Sequence, residues 1–244
     1  MSTRRAKQLI YGALYVVLLI IFFAVIYFLV KLFTPAAPVT TECTTDCMPV
    51  GASSISTSTV WSFVTSPGHY TFLDEIVNTN ADYAAEYFAY NINLYDASGT
   101  LVQSIPNASF AYANQAKYLV VPNQVIPSDE NVASVGISIS NVEWVSNSAV
   151  GEVPVLTQQS VQTNVASTTL SVAGQLTNTD ISTLQYIYVD VIFKGSDGAP
   201  VGASQTVLNN VGPGQTVNFS VMYPAISTIS NPASNEVFAY GLRD

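Results

Sequence analysis

Two stretches of this sequence, about one hundred residues apart, carry the same strand-and-turn pattern, and that duplication constrains the fold more than any other feature. In the first, Phe88, Tyr90, Ile92 and Leu94 alternate with Asn91 and Asn93, the polar turn Asp96-Ala97-Ser98-Gly99 follows, and Leu101 and Val102 resume. In the second, Ile187, Val189, Val191 and Phe193 alternate with Tyr188, Asp190 and Lys194, then come Gly195-Ser196-Asp197-Gly198 and Val201. A period of two sends alternate side chains to opposite faces of a strand, so each stretch has one core face and one solvated face. Upstream, Val77-Asn78-Thr79-Asn80 matches Thr177-Asn178-Thr179-Asp180; downstream, Asn114-Gln115 with Leu119 and Val121 matches Gly214-Gln215 with Phe219 and Val221. Matches on both sides make this an internal repeat. Turn signals recur every 8 to 12 residues or so, the spacing of a sandwich.

The reading is therefore all-β, with two tandem sandwiches at 59–147 and 148–244, joined through Ser146–Gly151. The second is expected to be self-sufficient from Glu152. Its alternation predicts that Val191→Asp unfolds it, whereas Asp190, set on the solvated face with Tyr188 and Lys194, tolerates alanine.

Leu94-Tyr95-Asp96-Ala97-Ser98-Gly99, Asn78-Thr79-Asn80 and Gly212-Pro213-Gly214-Gln215-Thr216-Val217-Asn218-Phe219 resemble the FxLYD-type domains, small immunoglobulin-like (Ig-like) sandwiches of secreted and membrane-anchored prokaryotic proteins. Trp61, Phe88, Tyr90 and Trp144 add a similarity to uncharacterised single-pass envelope proteins of candidate phyla radiation bacteria. The second repeat departs from the pattern, with Phe193-Lys194-Gly195 where Leu-Tyr-Asp is expected. The resemblance implies a fold and brings no catalytic residues.

Ahead of the repeats, Leu9 to Val30 is uncharged for 22 residues. At ~1.5 Å per helical residue it reaches about 33 Å, enough for a hydrocarbon core of roughly 30 Å. A single-pass transmembrane helix is expected at 8–33, in preference to a cleaved signal peptide, whose apolar core is shorter. Arg4, Arg5 and Lys7 precede it, which places the tail 1–7 in the cytoplasm and the repeats outside the cell membrane. Residues 34–58, rich in Thr, Ser and Pro, read as a spacer.

All 16 acidic residues follow the apolar run, against Lys31 at its end and only Lys117, Lys194 and Arg243 beyond residue 33. That balance removes the electrostatic footprint of a nucleic-acid binder. Cys43 and Cys47 are candidates for a disulfide, within or between chains; with His69 the only histidine, no metal site is expected. Asp96 with Ser98, and Ser196 with Asp197, read as turn residues rather than calcium ligands. Asp74 and Glu75 point to opposite faces and cannot pair as acid and base. Asn107 and Asn218 begin glycosylation sequons. Tyr87, Tyr95, Tyr186 and Tyr188 are the candidate binding surface, with inter-domain or edge packing as the alternative.

No cofactor or catalytic residue is expected. The sequence points to a non-enzymatic envelope protein, anchored in the membrane through Leu9 to Phe33, that presents two Ig-like domains to a protein partner for adhesion or scaffolding. The alternatives are a sensory or accessory subunit of a membrane complex and, more weakly, a hydrolase of wall polymers. The oligomeric state is left open.

Overall fold

The computed structural model describes residues 48–126, 132–166, 169–224 and 232–244. The expected transmembrane helix, cytoplasmic tail, Cys43 and Cys47 lie outside the described residues, among which no helix is long and apolar enough to cross a membrane.

The first repeat is built from β1 (Ser56–Thr57), β2 (Trp61–Ser66), β3 (His69–Val77), β4 (Tyr83–Tyr95), β5 (Leu101–Ala111), β6 (Ala116–Val125) and β7 (Ser134–Ser146). A single helical turn, α1 (Asn147–Val150), leads to β8 (Leu156–Val165), β9 (Thr169–Asn178), β10 (Leu184–Lys194), β11 (Pro200–Val211), β12 (Thr216–Pro224) and β13 (Ser234–Arg243). All pairings are antiparallel. In the first repeat β3 lies between β6 and the edge shared by β1 and β2, while β4 lies between β5 and β7. The second reproduces this order, with β9 between β8 and β12, and β10 between β11 and β13. Each repeat is a two-sheet sandwich.

Period-two alternation fills both cores. Phe88, Tyr90, Ile92 and Leu94 of β4 meet Phe72, Ile76, Leu119 and Val121 of the facing sheet. Ile187, Val189, Val191 and Phe193 of β10 meet Val172, Leu176, Phe219 and Val221 in the same way. The first sandwich begins before residue 59, however. Ile55 enters its core, Ser56–Thr57 pairs with β3, and the Ser58 amide (3.1 Å) and hydroxyl (2.8 Å) both donate to Asp74 Oδ1. Asp74 is buried and Glu75 exposed, as opposite strand faces require.

The repeat is also visible in its polar core. Asn78 Nδ2 donates to the Tyr83 and Tyr112 carbonyls, both at 2.9 Å, and its Oδ1 accepts from the Asn80 amide. Asn178 Nδ2 donates to the Ser182 and Val211 carbonyls, both at 2.9 Å, and its Oδ1 accepts from the Asp180 amide. Beside them, Gln115 Oε1 accepts from the Tyr112 amide and Gln215 Oε1 from the Gly212 amide. Each asparagine satisfies carbonyls that the sheets leave over. Asn178→Ala orphans two of them, and a loss of about 2–4 kcal/mol is expected in urea titrations of the purified protein. A loss below about 0.5 kcal/mol, the level of an inert surface change, would show that the clamp contributes nothing.

The solvated face expected for β10 is not solvated. Asp190 is fully buried, and Ile192 on the same face packs with Ala203 of β11 and Phe238 of β13 against Phe63, Leu73, Tyr118 and Val120 of the first repeat. The outer face of the second sandwich is docked on the first. A fragment starting at Glu152 exposes that apolar face, and the expectation that Asp190 tolerates alanine is reversed.

Candidate functional site

The docked face contains a cationic side chain in a cage of rings. Lys117 continues the inward row of Leu119 and Val121 on β6, and its side chain is buried. Its Nζ lies 3.5 Å from the centroid of the Phe110 ring and donates to Ser109 Oγ at 3.0 Å and to the Phe110 carbonyl at 3.3 Å. The second sandwich closes the cage with Tyr188 and Tyr240, whose ring centroids are 5.1 and 5.3 Å from the amine. A cation over aromatic faces is stabilised by their quadrupoles, most of all where water is excluded.

Asp190 faces this cage from β10. Its Oδ1 accepts from Gln205 Nε2 at 2.7 Å, while Oδ2 has no partner among the described residues. The two charges sense one another without direct ion-pair contact. Loss of solvation dominates both: it holds the Lys117 amine well below the ordinary lysine range and pushes the Asp190 carboxyl well above the ordinary carboxylate range. A cavity of about 250 Å³ adjoins the amine, with Tyr90, Asn107, Ser109, Tyr188 and Gln205 in its wall.

A second set of contacts closes the joint from the other side. Arg243 binds Asp180 through Nε (3.2 Å) and Nη2 (2.6 Å), and Nη1 donates to the Val150 carbonyl at 2.7 Å. The guanidinium lies over Tyr112, whose hydroxyl accepts from the Arg243 amide at 3.3 Å. One residue thereby ties the second sandwich to the linker and to the first. Arg243→Ala should cost about 1.5–3 kcal/mol, the range for hydrogen bonds to charged groups, and it should raise amide exchange at Ser148–Gly151 first. Unchanged exchange there would mean that the joint is held by the apolar contacts alone. A cleft of about 590 Å³, lined by Glu86, Tyr112, Gly151, Ile181 and Arg243 among others, opens beside these contacts.

The four candidate tyrosines do not form one surface. Tyr87 and Tyr186 are exposed, Tyr95 is half-buried beside Gly136, and Tyr188 is part of the cage. Asn107 and Asn218 are exposed on strands of different sandwiches. Asp96 Oδ1 accepts from the Ser98 and Thr100 amides, and Asp197 Oδ1 from the Ala199 amide, so each carboxylate closes its own turn. Among the described residues no group of three or more His, Cys, Asp or Glu side chains converges to hold a metal ion.

The residues missed by sequence reasoning are Lys117, Phe110, Asp190, Gln205 and Tyr240. Two signals pointed to them. Lys117 is one of three cations beyond residue 33 and has the inward parity of β6, and Ile192 is an apolar residue on the face of β10 assigned to water. No protein-family model and no curated protein matches this sequence.

Proposed function

We propose that this chain is a non-enzymatic envelope protein, anchored in the cell membrane by Leu9 to Phe33, which presents its two Ig-like sandwiches as one fixed pair for protein interaction, adhesion or the scaffolding of a surface assembly. The observation that carries this reading is the caged Lys117 opposite Asp190, because a joint made of buried groups from both repeats holds one relative orientation. Two domains on a loose linker have no such constraint. A fixed pair displays its outer strands at constant spacing, which suits a structural partner. Grouping both repeats with the FxLYD-type domains rests on the sequence motifs alone.

Protease added to intact spheroplasts should trim the sandwiches and spare a tag at Met1. Protection of the sandwiches together with loss of the tag would reverse the topology and remove the envelope reading. The sensory or accessory alternative draws support from the cleft beside Arg243, which lies where a ligand would alter the joint. Pull-down from cross-linked membranes separates the two: a stoichiometric membrane partner favours the accessory role, and recovery with wall material favours the scaffold.

A further inference from the structure

β7 is an edge strand of thirteen residues whose last part is guarded by Glu143 and by a bulge between Ser140 and Glu143, whereas its first seven residues are not. β5 carries Pro106, β6 carries Pro122, and β12 ends at Pro224; β11 begins at Pro200, and β13 carries Glu236 and Arg243. β8 is interrupted by a bulge between Gln159 and Gln162. Proline, charge and bulges are the usual devices that keep a sheet edge from adding another strand. From Ser134 to Ser140, β7 has none of them, and among the described residues it pairs on one side only, with β4. The side chains it directs inward, Val135, Ile137 and Ile139, are only partly buried against the core. Ile137 and Ile139, with Ile55, Val142 and Trp144, line an open groove of about 330 Å³. The second sandwich has Val237, Ala239 and Gly241 along the corresponding strand, and a Cβ at Gly241 would lie 2.7 Å from Leu184, so that strand sits tight on its core.

The sequence of this edge indicates its occupant. Ser134-Val135-Gly136-Ile137-Ser138-Ile139-Ser140 reads nearly the same in both directions about Ile137. We infer that two copies of this chain associate through β7, antiparallel about a two-fold axis at Ile137, joining their three-stranded sheets into one. In that register Ile137 meets Ile137, Val135 meets Ile139, Gly136 meets Ser138 and Ser134 meets Ser140. Apolar side chains share one face over the two grooves, small polar ones share the other, and no charge is opposed by a like charge. A two-fold interface needs such self-complementarity, since one patch must serve as its own partner. An unrelated strand would gain nothing from the symmetry. This association goes beyond the envelope role, which stands or falls separately by topology.

The test uses the full chain in detergent. With Cys43 and Cys47 replaced by serine, Ile137→Cys should form a disulfide-linked dimer on mild oxidation, because residues directly opposite bring their Cβ atoms to about 5 Å. Ser104→Cys, on the exposed opposite edge of the same sheet, should stay monomeric. Register is read by charge: Ser134→Lys with Ser140→Lys opposes like charges and should weaken association about tenfold or more in sedimentation experiments, whereas Ser134→Lys with Ser140→Glu should restore it. Failure of the Ile137→Cys variant to cross-link, equal behaviour of the two charge pairs, or a dimer that cross-links in the Ser104→Cys variant instead would each overturn the inference.

Discussion

Val191→Asp should unfold the second sandwich. Val191 is fully buried in the inward row with Ile187, Val189 and Phe193, pressed against the sheet of β9 and β12. The core around it is almost wholly apolar. An unpaired carboxylate there costs several kcal/mol, against about 5 to 15 kcal/mol for the stability of a whole domain. The expected result is a protein whose first sandwich melts cooperatively while the second contributes no transition. A melt within about 1 kcal/mol of the parent would mean that the inward face of β10 can rearrange around a charge, contrary to the tight packing of sandwich cores.

The neighbouring position should be sensitive too, for a different reason. Asp190→Ala leaves Lys117 buried without the charge that faces it and Gln205 without its acceptor, which should cost about 1–3 kcal/mol, whereas replacing both buried charges by apolar groups is often neutral. Lys117→Met combined with Asp190→Leu should therefore be closer to the parent than Asp190→Ala alone. The pH dependences of the two single variants should have opposite signs. In Lys117→Met the remaining group is Asp190, whose pKa is raised by burial; its contribution is fully present below the ordinary carboxylate range and is lost as pH rises through the raised value. In Asp190→Asn the remaining group is Lys117, whose pKa is lowered by burial; its contribution is fully present above the ordinary lysine range and is lost as pH falls through the lowered value. Urea midpoints of the two variants between mildly acidic and alkaline pH should diverge in these directions. Parallel profiles would show that water reaches both groups and that the cage is open.

Why Val191 was legible in the sequence and Asp190 was not follows from what alternation encodes. A period of two separates the faces of a strand, and for β4 and β10 it assigned every inward residue to a core. The repeat then predicted that both units share one plan, and the paired asparagine clamps at Asn78 and Asn178 bear this out at the level of single hydrogen bonds. Alternation does not say whether the outward face meets water or another domain. For β10 the outward set is Tyr188, Asp190, Ile192 and Lys194, a mixture of polar and apolar residues that suits an interface as well as a surface. Lys117 was harder still, since its cage is assembled from β5, β6, β10 and β13, and no local pattern brings those strands together. The spacer boundary was misjudged because Ile55 is a single apolar residue among Ser and Thr; its burial comes from the sandwich that it closes.

The docked face of β10 also bears on the order in which the chain is made. Synthesis delivers the N-terminal repeat first, and domains form as units while the remainder is still emerging. Phe63, Leu73 and Val120 must then wait in water, with Lys117 held only by Ser109 and by the carbonyl and ring of Phe110. Ile192, Phe238 and Tyr240 arrive later and find a finished surface to settle on. The earlier half of the protein thereby serves as the template on which the later half completes its fold.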